Sequence, residues 1–394
     1  ACNVREKETV RELFGDPWSV LEKILSLYRT PPVSFPLAHG GAIGYFGYEM
    51  GRNLVGLPAQ RGTEAPGPPD SWFGFFSSLL ILDHRAGETW LVATGHPDPA
   101  SRVLARARLA RLARLLAETC AEGEEEKEVN SGFLPARPAI HSLLDRASYT
   151  RAVARAKEYI AAGEIYQVNL SRRIVTEWSG DPLALYLRLR EASPAPFGAF
   201  LRLDDETALL SASPELFLRI EGGRVETRPI KGTRPRGRTV AEDRRLAREL
   251  LADEKERAEL MMVVDLERND LSRVCLPGTV EVPRLCGLES YAQVHHLVAT
   301  VIGRRRPDME AIDVLRATFP GGSITGVPKR RAMEIIEELE PVPRGPYTGS
   351  LGYMGFDGQA VFNILIRTGW IHAGRIHFQT GGAVTADSNP EREF

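Results

Sequence analysis

The chain has 394 residues, 43% of them hydrophobic and 26% charged, with a formal net charge of -2 at pH 7; this is the composition of a globular protein able to bury one large core or two smaller ones. So slight a charge gives no reason to expect nucleic acid or an acidic membrane surface as a partner. No apolar run reaches spanning length, no charged-then-apolar leader opens the chain, and the cysteines (Cys2, Cys120, Cys275, Cys286) show no CxxC spacing and no disulfide framework, so a cytoplasmic enzyme is expected.

In chain order, "GDPWSVLEKILSLYRT" predicts a helix with Asp16 near its cap and Pro17 in its first turn. "GGAIGYFGYEMG", "SWFGFFSSLLILDH" and "ETWLVATG" read as strands, and "PASRVLARARLARLARLLAETC" as a surface helix with arginines between its leucines. The acidic, then proline-bearing "AEGEEEKEVNSGFLPARPAI" reads as a linker. This divides the chain into an N-terminal region 1–120, a linker 121–139 and a larger region 140–394. Beyond it come a helix from about 149 stopped at Gly163, a strand over 166–177 and a helix in "DPLALYLRLREASP". "FGAFLRLDDETALLSASPELFLRIEGGRVETRPIKGT" reads as successive strands with tight turns. One long helix is predicted over 241–264, and further helices in "DVLRATFP" and "PKRRAMEIIEELEP". Three strands, with turns at "FDG" and "HAG", are predicted to close the chain. Hairpin-linked strands with helices between the groups predict an α+β chain whose sheets are largely antiparallel.

Several stretches carry chemistry. "GGSITGVPK" (321–329) departs from a phosphate loop because Val327 and Pro328 precede the lysine, but a glycine-rich turn opening a helix also suits a carboxylate. Glu256 and Glu259 lie three apart on one helix face, and "DSNPEREF" supplies Asp387, Glu391 and Glu393. Carboxylates from two such segments suit Mg²⁺ if the fold brings them together. Of the alternating His295 and His296, one is expected to face inward. Arg367, a charge at the end of an apolar run, needs an anion if buried. Lys231, among the arginines of "RPIKGTRPRG", is open to three readings: a solvated loop residue, an anion clamp, or an amine kept uncharged for attack.

"SASPELFLRI", "RPIKGTRPRG", "VVDLERNDLSRV", "HHLVATVIG", "FPGGSITGVPKRRAMEIIEELEP", "GSLGYMGFDG", "FNILIRTG" and "GGAVTADSNPERE" occur in an order and spacing similar to the chorismate-utilising enzymes. That family includes anthranilate synthase component I, aminodeoxychorismate synthase component I, isochorismate synthase and salicylate synthase. The likeness covers about 140–394, and "GGAIGYFGYEMGR" resembles the amino-group-transferring members. It implies a mixed α/β body in which two large, mostly antiparallel sheets pack together with helices outside. It also implies roles: Glu215 as general acid toward the C4 hydroxyl of chorismate, and Glu256, Glu259 and Glu393 as Mg²⁺ ligands. A further glutamate is implied three residues past Glu393, beyond Phe394. Arg367 and Tyr347 would hold the enolpyruvyl carboxylate with backbone N–H groups at Gly381 and Gly382. Gly232, Thr233, Ser323 and Thr325 would surround the ring, with His296 as the site histidine.

Two positions choose among the family's reactions. Water-adding members carry a lysine where this chain has Gln167, and a glutamine takes no proton at neutral pH, which disfavours isochorismate and salicylate formation. Anthranilate-forming members typically read PIAGT; this chain reads PIKGT, as aminodeoxychorismate-forming members do. The expectation is an amine, Lys231, held below its usual pKa of about 10.4 by partial burial and nearby arginines. It would add covalently to chorismate before ammonia displaces it, on the route to 4-aminobenzoate and folate. The ammonia would come from a separate glutamine amidotransferase subunit in a heterodimer, since no amidotransferase nucleophile motif is present. The alternatives are anthranilate formation and, in another class, a non-catalytic chorismate-binding regulatory subunit.

Overall fold

The computed structural model describes residues 2–6, 9–31, 38–57, 67–96, 98, 101–121 and 139–394. The linker beyond residue 121 lies outside the described residues up to 138. Two large sheets dominate, and every strand pairing in them is antiparallel. The seven-stranded sheet runs in the order Gly326–Val327, Gln167–Glu177, Arg375–Val384, Thr368–His372, Ala208–Ser213, Phe197–Arg202, with His141–Ser142 beside Gln167–Glu177. The nine-stranded sheet runs Ile230–Pro235, Val294–Arg304, Arg224–Arg228, Leu216–Glu221, Ala360–Asn363, Ser350–Gly355, Gly41–Phe46, Ser71–Phe76, with Glu281–Ser290 beside Val294–Arg304. The N-terminal region thus contributes two strands to a sheet otherwise built from the remainder of the chain. Among the described residues, no helix is long and apolar enough to cross a membrane.

The apolar pattern explains the layers. Tyr45 and Leu351 from the nine-stranded sheet meet Leu201, Leu209 and Trp370 from the seven-stranded sheet, with Tyr347 and Leu365 between them. On the outer face of the nine-stranded sheet, Leu297, Ala299 and Val301 pack against Leu260, Val264 and Leu271 of the helix Glu254–Ser272 and against the helix Ala311–Thr318. The outer face of the seven-stranded sheet, at Val168, Leu170 and Val384, receives the helices Arg146–Ala161 and Lys329–Leu339. The strand Ala208–Ser213 therefore reads as a continuous buried run, because Leu209 faces the inter-sheet core while Ala208 and Leu210 face the helix Pro182–Ala192.

The predicted first helix forms as Pro17–Ser26, with Asp16 accepting from the Ser19 backbone at 3.2 Å. Three expectations are corrected. The single helix over 241–264 is two, Val240–Ala252 and Glu254–Ser272. Asp253 takes an extended backbone between them, and its carboxylate caps the Glu256 N–H at 3.1 Å. The final three strands are four: the apolar run from Ala360 breaks at Arg367, whose φ is +49°, and passes from one sheet to the other. His295 and His296 are both buried, at 2% and 3% exposure, because their strand is covered on both faces.

Candidate active site

Two neighbouring crossovers between the sheets build the core of the site. The chain leaves the seven-stranded sheet at Ser213 and enters the nine-stranded one at Leu216, which places Glu215 at the crossing. Beside it, the stretch after Asn363 returns to the seven-stranded sheet at Thr368, which places Arg367 there. The crossings are stitched together: Ile364 N donates to Glu215 O at 3.0 Å, Ala212 N to Arg367 O at 3.0 Å, and Ser213 Oγ to Ile364 O at 2.6 Å. A left-handed backbone at an arginine is unfavourable by about 1–2 kcal/mol, and the crossover geometry holds it in place.

Lys231 reaches the same place through a β-bulge. On the strand Ile230–Pro235, Lys231 faces Leu297 and Thr233 faces His296 of the neighbouring strand, so Gly232 is an extra residue. Its φ of +78° suits glycine, and a side chain there would start 3.1 Å from Leu250 Cδ1 and 3.2 Å from Glu256 Cβ. Lys231 Nζ donates to the Ser323 carbonyl at 2.9 Å, in the short helical turn Gly322–Ile324. Glu215 Oε1 accepts the N–H of Ile230, the residue before Lys231, at 3.4 Å, and Ser323 and Lys231 favour the charge of its carboxylate, so amine and acid share one centre.

The electrostatics differ from the expectation in one respect. The arginines of the "RPIKGTRPRG" stretch are spent elsewhere: Arg228 on Glu289, Arg234 on Asp253 (2.7 Å) and Glu256 (3.2 Å), Arg236 on Asp243 (2.7 Å). Burial alone drives the Lys231 amine below its ordinary range, and the nearby carboxylates of Glu215, Glu259 and Glu256 oppose it. Burial likewise pushes Glu215 up to about 6, against Ser323, Lys231 and Arg367, which favour its charge. His296 is pushed down to about 4 by burial and by Arg367. A guanidinium only donates, so Arg367 Nη2 gives its hydrogen to His296 Nε2 at 2.8 Å, and the ring proton lies on Nδ1, 2.9 Å from Thr233 Oγ1. No carboxylate among the described residues forms an ion pair with the half-buried Arg367. A cation with a neutral imidazole as partner suits an incoming carboxylate.

The opposite wall is the strand pair Gln167–Glu177 and Arg375–Val384, where Gly381 faces Ser171 and Gly382 faces Leu170. Tyr347 is buried in the inter-sheet core. Gln167 is 1% exposed, and among the described residues its Oε1 has no hydrogen-bond partner. The Thr325 hydroxyl is committed to the Gly321 carbonyl at 3.0 Å, so it shapes the turn. A side chain at Gly382 would start 3.5 Å from Glu393 Oε2, which places the short helix Pro390–Glu393 against this wall.

Among the described residues, no three His, Cys, Asp or Glu side chains gather as a ready metal cage. Glu256 points to Arg234, at 3.2 Å. Glu259 is 9% exposed, and its carboxyl is pushed up by burial, with the Glu256 and Glu393 charges adding to the rise. Two acidic oxygens from facing segments, repelling one another, are the donor set a magnesium ion uses when substrate and water supply the rest. Asp387 is exposed, and Glu391 forms an exposed pair with Arg146 at 2.7 Å.

Glu267, Asn169 and Tyr291 are near the centre and were not singled out in the sequence. Tyr291 lies 5.8 Å ring to ring from His296. Helical spacing from Glu256 through Glu259 and Val263 to Glu267 was the available signal, since it puts them on one face.

Residues 3–394 match the chorismate binding enzyme family. The chain is 44% identical to anthranilate synthase component 1 of Streptomyces coelicolor, over 96% of this chain and 75% of that one. It is 40% identical to aminodeoxychorismate synthase component 1 of Salmonella typhimurium, over 100% of this chain and 82% of the relative. Among solved structures, it is similar to anthranilate synthase component I from Streptococcus pneumoniae, with a TM-score of 0.85 at 29% identity over 98% of this chain and 84% of the other.

Proposed function

Because the chain belongs to the chorismate-binding enzyme family, we propose that it aminates chorismate at C4, forming 4-amino-4-deoxychorismate by way of a covalent Lys231 adduct. The observation that carries this reading is the meeting of Lys231, held at the Ser323 carbonyl, and Glu215 in one centre, where burial lowers the proton affinity of the amine and raises that of the acid to about 6. The neutral amine adds at ring C2 while Glu215 protonates the C4 hydroxyl, which departs as water as the double bonds shift. Ammonia then attacks C4, the C2–N bond breaks, and the amine is restored after proton loss. Two displacements put nitrogen on the carbon that lost oxygen. Arg367 binds one substrate carboxylate while His296 fixes the guanidinium, and Tyr347 and the Gly381–Gly382 backbone border the other side of the ring. Glu259 and Glu393, with Glu256, would hold Mg²⁺, which when bound neutralises the ring carboxylate. Relatives named as component 1 support a two-component system in which a glutamine amidotransferase supplies ammonia.

A second reading, anthranilate formation, is favoured by a specific observation: the 44% identical Streptomyces relative and the 0.85 TM-score structure both carry that name. In that reading ammonia adds directly at C2, and Lys231 serves as a clamp for substrate carboxylate. Incubation with chorismate, Mg²⁺ and an ammonium salt separates the two. Aminodeoxychorismate as product supports the first, anthranilate refutes it, and chorismate binding without turnover would leave a regulatory subunit.

A further inference from the structure

The stretch "GGAIGYFGYEMG" has no part in the reaction as proposed, yet it braces the loop that leads to Tyr347. After the strand Gly41–Phe46 the chain forms a short helical turn, Tyr48–Gly51. Glu49 on this turn is half-buried, and its two oxygens accept successive backbone N–H groups. Oε1 takes that of Arg344 at 2.7 Å, and Oε2 that of Gly345 at 2.9 Å. Tyr48 N donates to Gly345 O at 2.8 Å, so three backbone groups of one bend are held. Gly47 permits the approach, since a side chain there would start 3.0 Å from the Gly345 oxygen.

The bend passes this hold to the centre. Arg344 Nη1 donates to Ile324 O at 3.0 Å, one residue after the Ser323 carbonyl that takes Lys231. Gly51 reaches the same place directly. A side chain there would start 2.6 Å from Cδ of Pro320, two residues before the turn Gly322–Ile324. Tyr347, in the wall assigned to the substrate, follows Gly345 by two residues. The bend also explains why the acid is a glutamate. Among the described residues, neither the Arg344 nor the Gly345 N–H has a backbone acceptor. An ionised carboxylate only accepts, and its two oxygens satisfy both; a glutamine has one oxygen and would turn an NH₂ toward the other N–H.

We propose that Glu49 is a positioning residue of this centre: by clamping the bend at Arg344 and Gly345, it fixes the turn that holds Lys231 and the segment that carries Tyr347. The inference rests on the covalent Lys231 reading above. It gives the N-terminal region a part in the reaction, exerted through the loop.

The test compares wild type with Glu49→Gln in the full chain with Mg²⁺. It is run at about pH 8, above the value of about 7 to which burial pushes Glu49, so that the carboxylate is ionised. Intact-protein mass spectrometry, with chorismate present and ammonia withheld, reads the rate of Lys231 adduct formation. Glu49→Gln is expected to lower that rate roughly tenfold to a hundredfold. In ammonium-driven turnover its KM for chorismate rises, while its KM for ammonium stays at the wild-type value. Leu21→Ala, which opens a cavity beside the helix Pro17–Ser26 of the same region, is the structural control. It loses thermal stability but keeps the adduct rate and both KM values. A wild-type adduct rate in folded Glu49→Gln overturns the proposal, and so does a Leu21→Ala rate that falls equally. Should Glu49→Gln not fold, Gly47→Ala decides, because its methyl presses on the Gly345 carbonyl while Glu49 stays in place. A slowed adduct then supports the clamp, and an unchanged rate refutes it. A wild type that forms no adduct removes the covalent reading and this inference with it; a wild type that forms one, matched by Glu49→Gln, removes this inference alone.

Discussion

Two cations, one fully buried and one half-buried, take consecutive carbonyls from the same turn and serve opposite ends. Arg344 Nη1 donates to Ile324 O at 3.0 Å, and Lys231 Nζ donates to Ser323 O at 2.9 Å. Arg344 has its remaining hydrogens matched: Nε and Nη2 grip Glu340 at 2.9 and 2.7 Å, Nη2 also reaches Asn169 O at 2.6 Å, and Nη1 reaches Thr348 Oγ1 at 3.2 Å. Burial works against its charge, yet the Glu340 pair outweighs burial and holds its pKa above the ordinary range. Around Lys231 burial wins, and the amine is driven below its ordinary range despite three carboxylates nearby. A cation with every donor satisfied is architecture, whereas one left short of partners is poised to react.

Mutations should separate the two. Lys231→Ala is expected to abolish ammonium-driven turnover while leaving urea stability near wild type, because it removes a half-buried amine that the fold does not depend on. A parallel loss of stability would make Lys231 part of the scaffold. Arg344→Met is expected to do the reverse, destabilising the fold by about 3–5 kcal/mol through the stranded Glu340 carboxylate, as measured by urea unfolding.

Glu215→Gln should lower turnover by about 10²–10⁴-fold. Its effect on stability has a definite sign. Glu215 has a folded pKa raised from 4.5 to about 6, so the folded state binds the extra proton between those values and the wild type loses stability as pH rises through that window. Above pH 6 the full penalty, about 2 kcal/mol, weighs on the wild type and is absent from the glutamine variant. Unfolding at pH 4 and pH 7 would expose it as a gap present only at the higher pH.

Gly232→Ala forces a side chain into the left-handed bulge and against Leu250, at an expected cost of about 1–2 kcal/mol, and turnover should fall because the bulge aims Lys231. The smallest effect belongs to Arg236→Gln. Its carboxylate partner is Asp243, so turnover and its pH profile should be unchanged. A shift in that profile would restore the arginines as the cause of the lysine's low proton affinity.

Alternation of apolar residues and the punctuation by glycine were enough to read most strands, and the quoted motifs named Lys231, Glu215, His296 and Arg367 before any geometry was known. What stayed hidden depends on contacts distant in sequence. The apolar run through Ile364 and Leu365 reads as one strand because both sheets bury it, and only tertiary structure shows the crossing that makes a place for Arg367. Arg228, Arg234 and Arg236 look like neighbours of Lys231 in the sequence, but pairing with Glu289, Asp253 and Asp243 takes them out of its field. Asp253 sits among helix-forming residues on both sides, and its role as a cap emerges from its carboxylate turning to the Glu256 N–H. Glu267 reads as one charge among many in "VVDLERND" until the turn at Gly322 is folded against it.

The central claim is that the Lys231 nitrogen bonds to carbon during turnover. Intact-protein mass spectrometry after mixing with chorismate and Mg²⁺, with ammonia withheld, tests it directly. The account predicts a substrate-derived mass increase that maps to the peptide containing Lys231, disappears in Lys231→Ala and is discharged when ammonium is added. An unmodified protein that nevertheless converts chorismate once ammonium is present would contradict it.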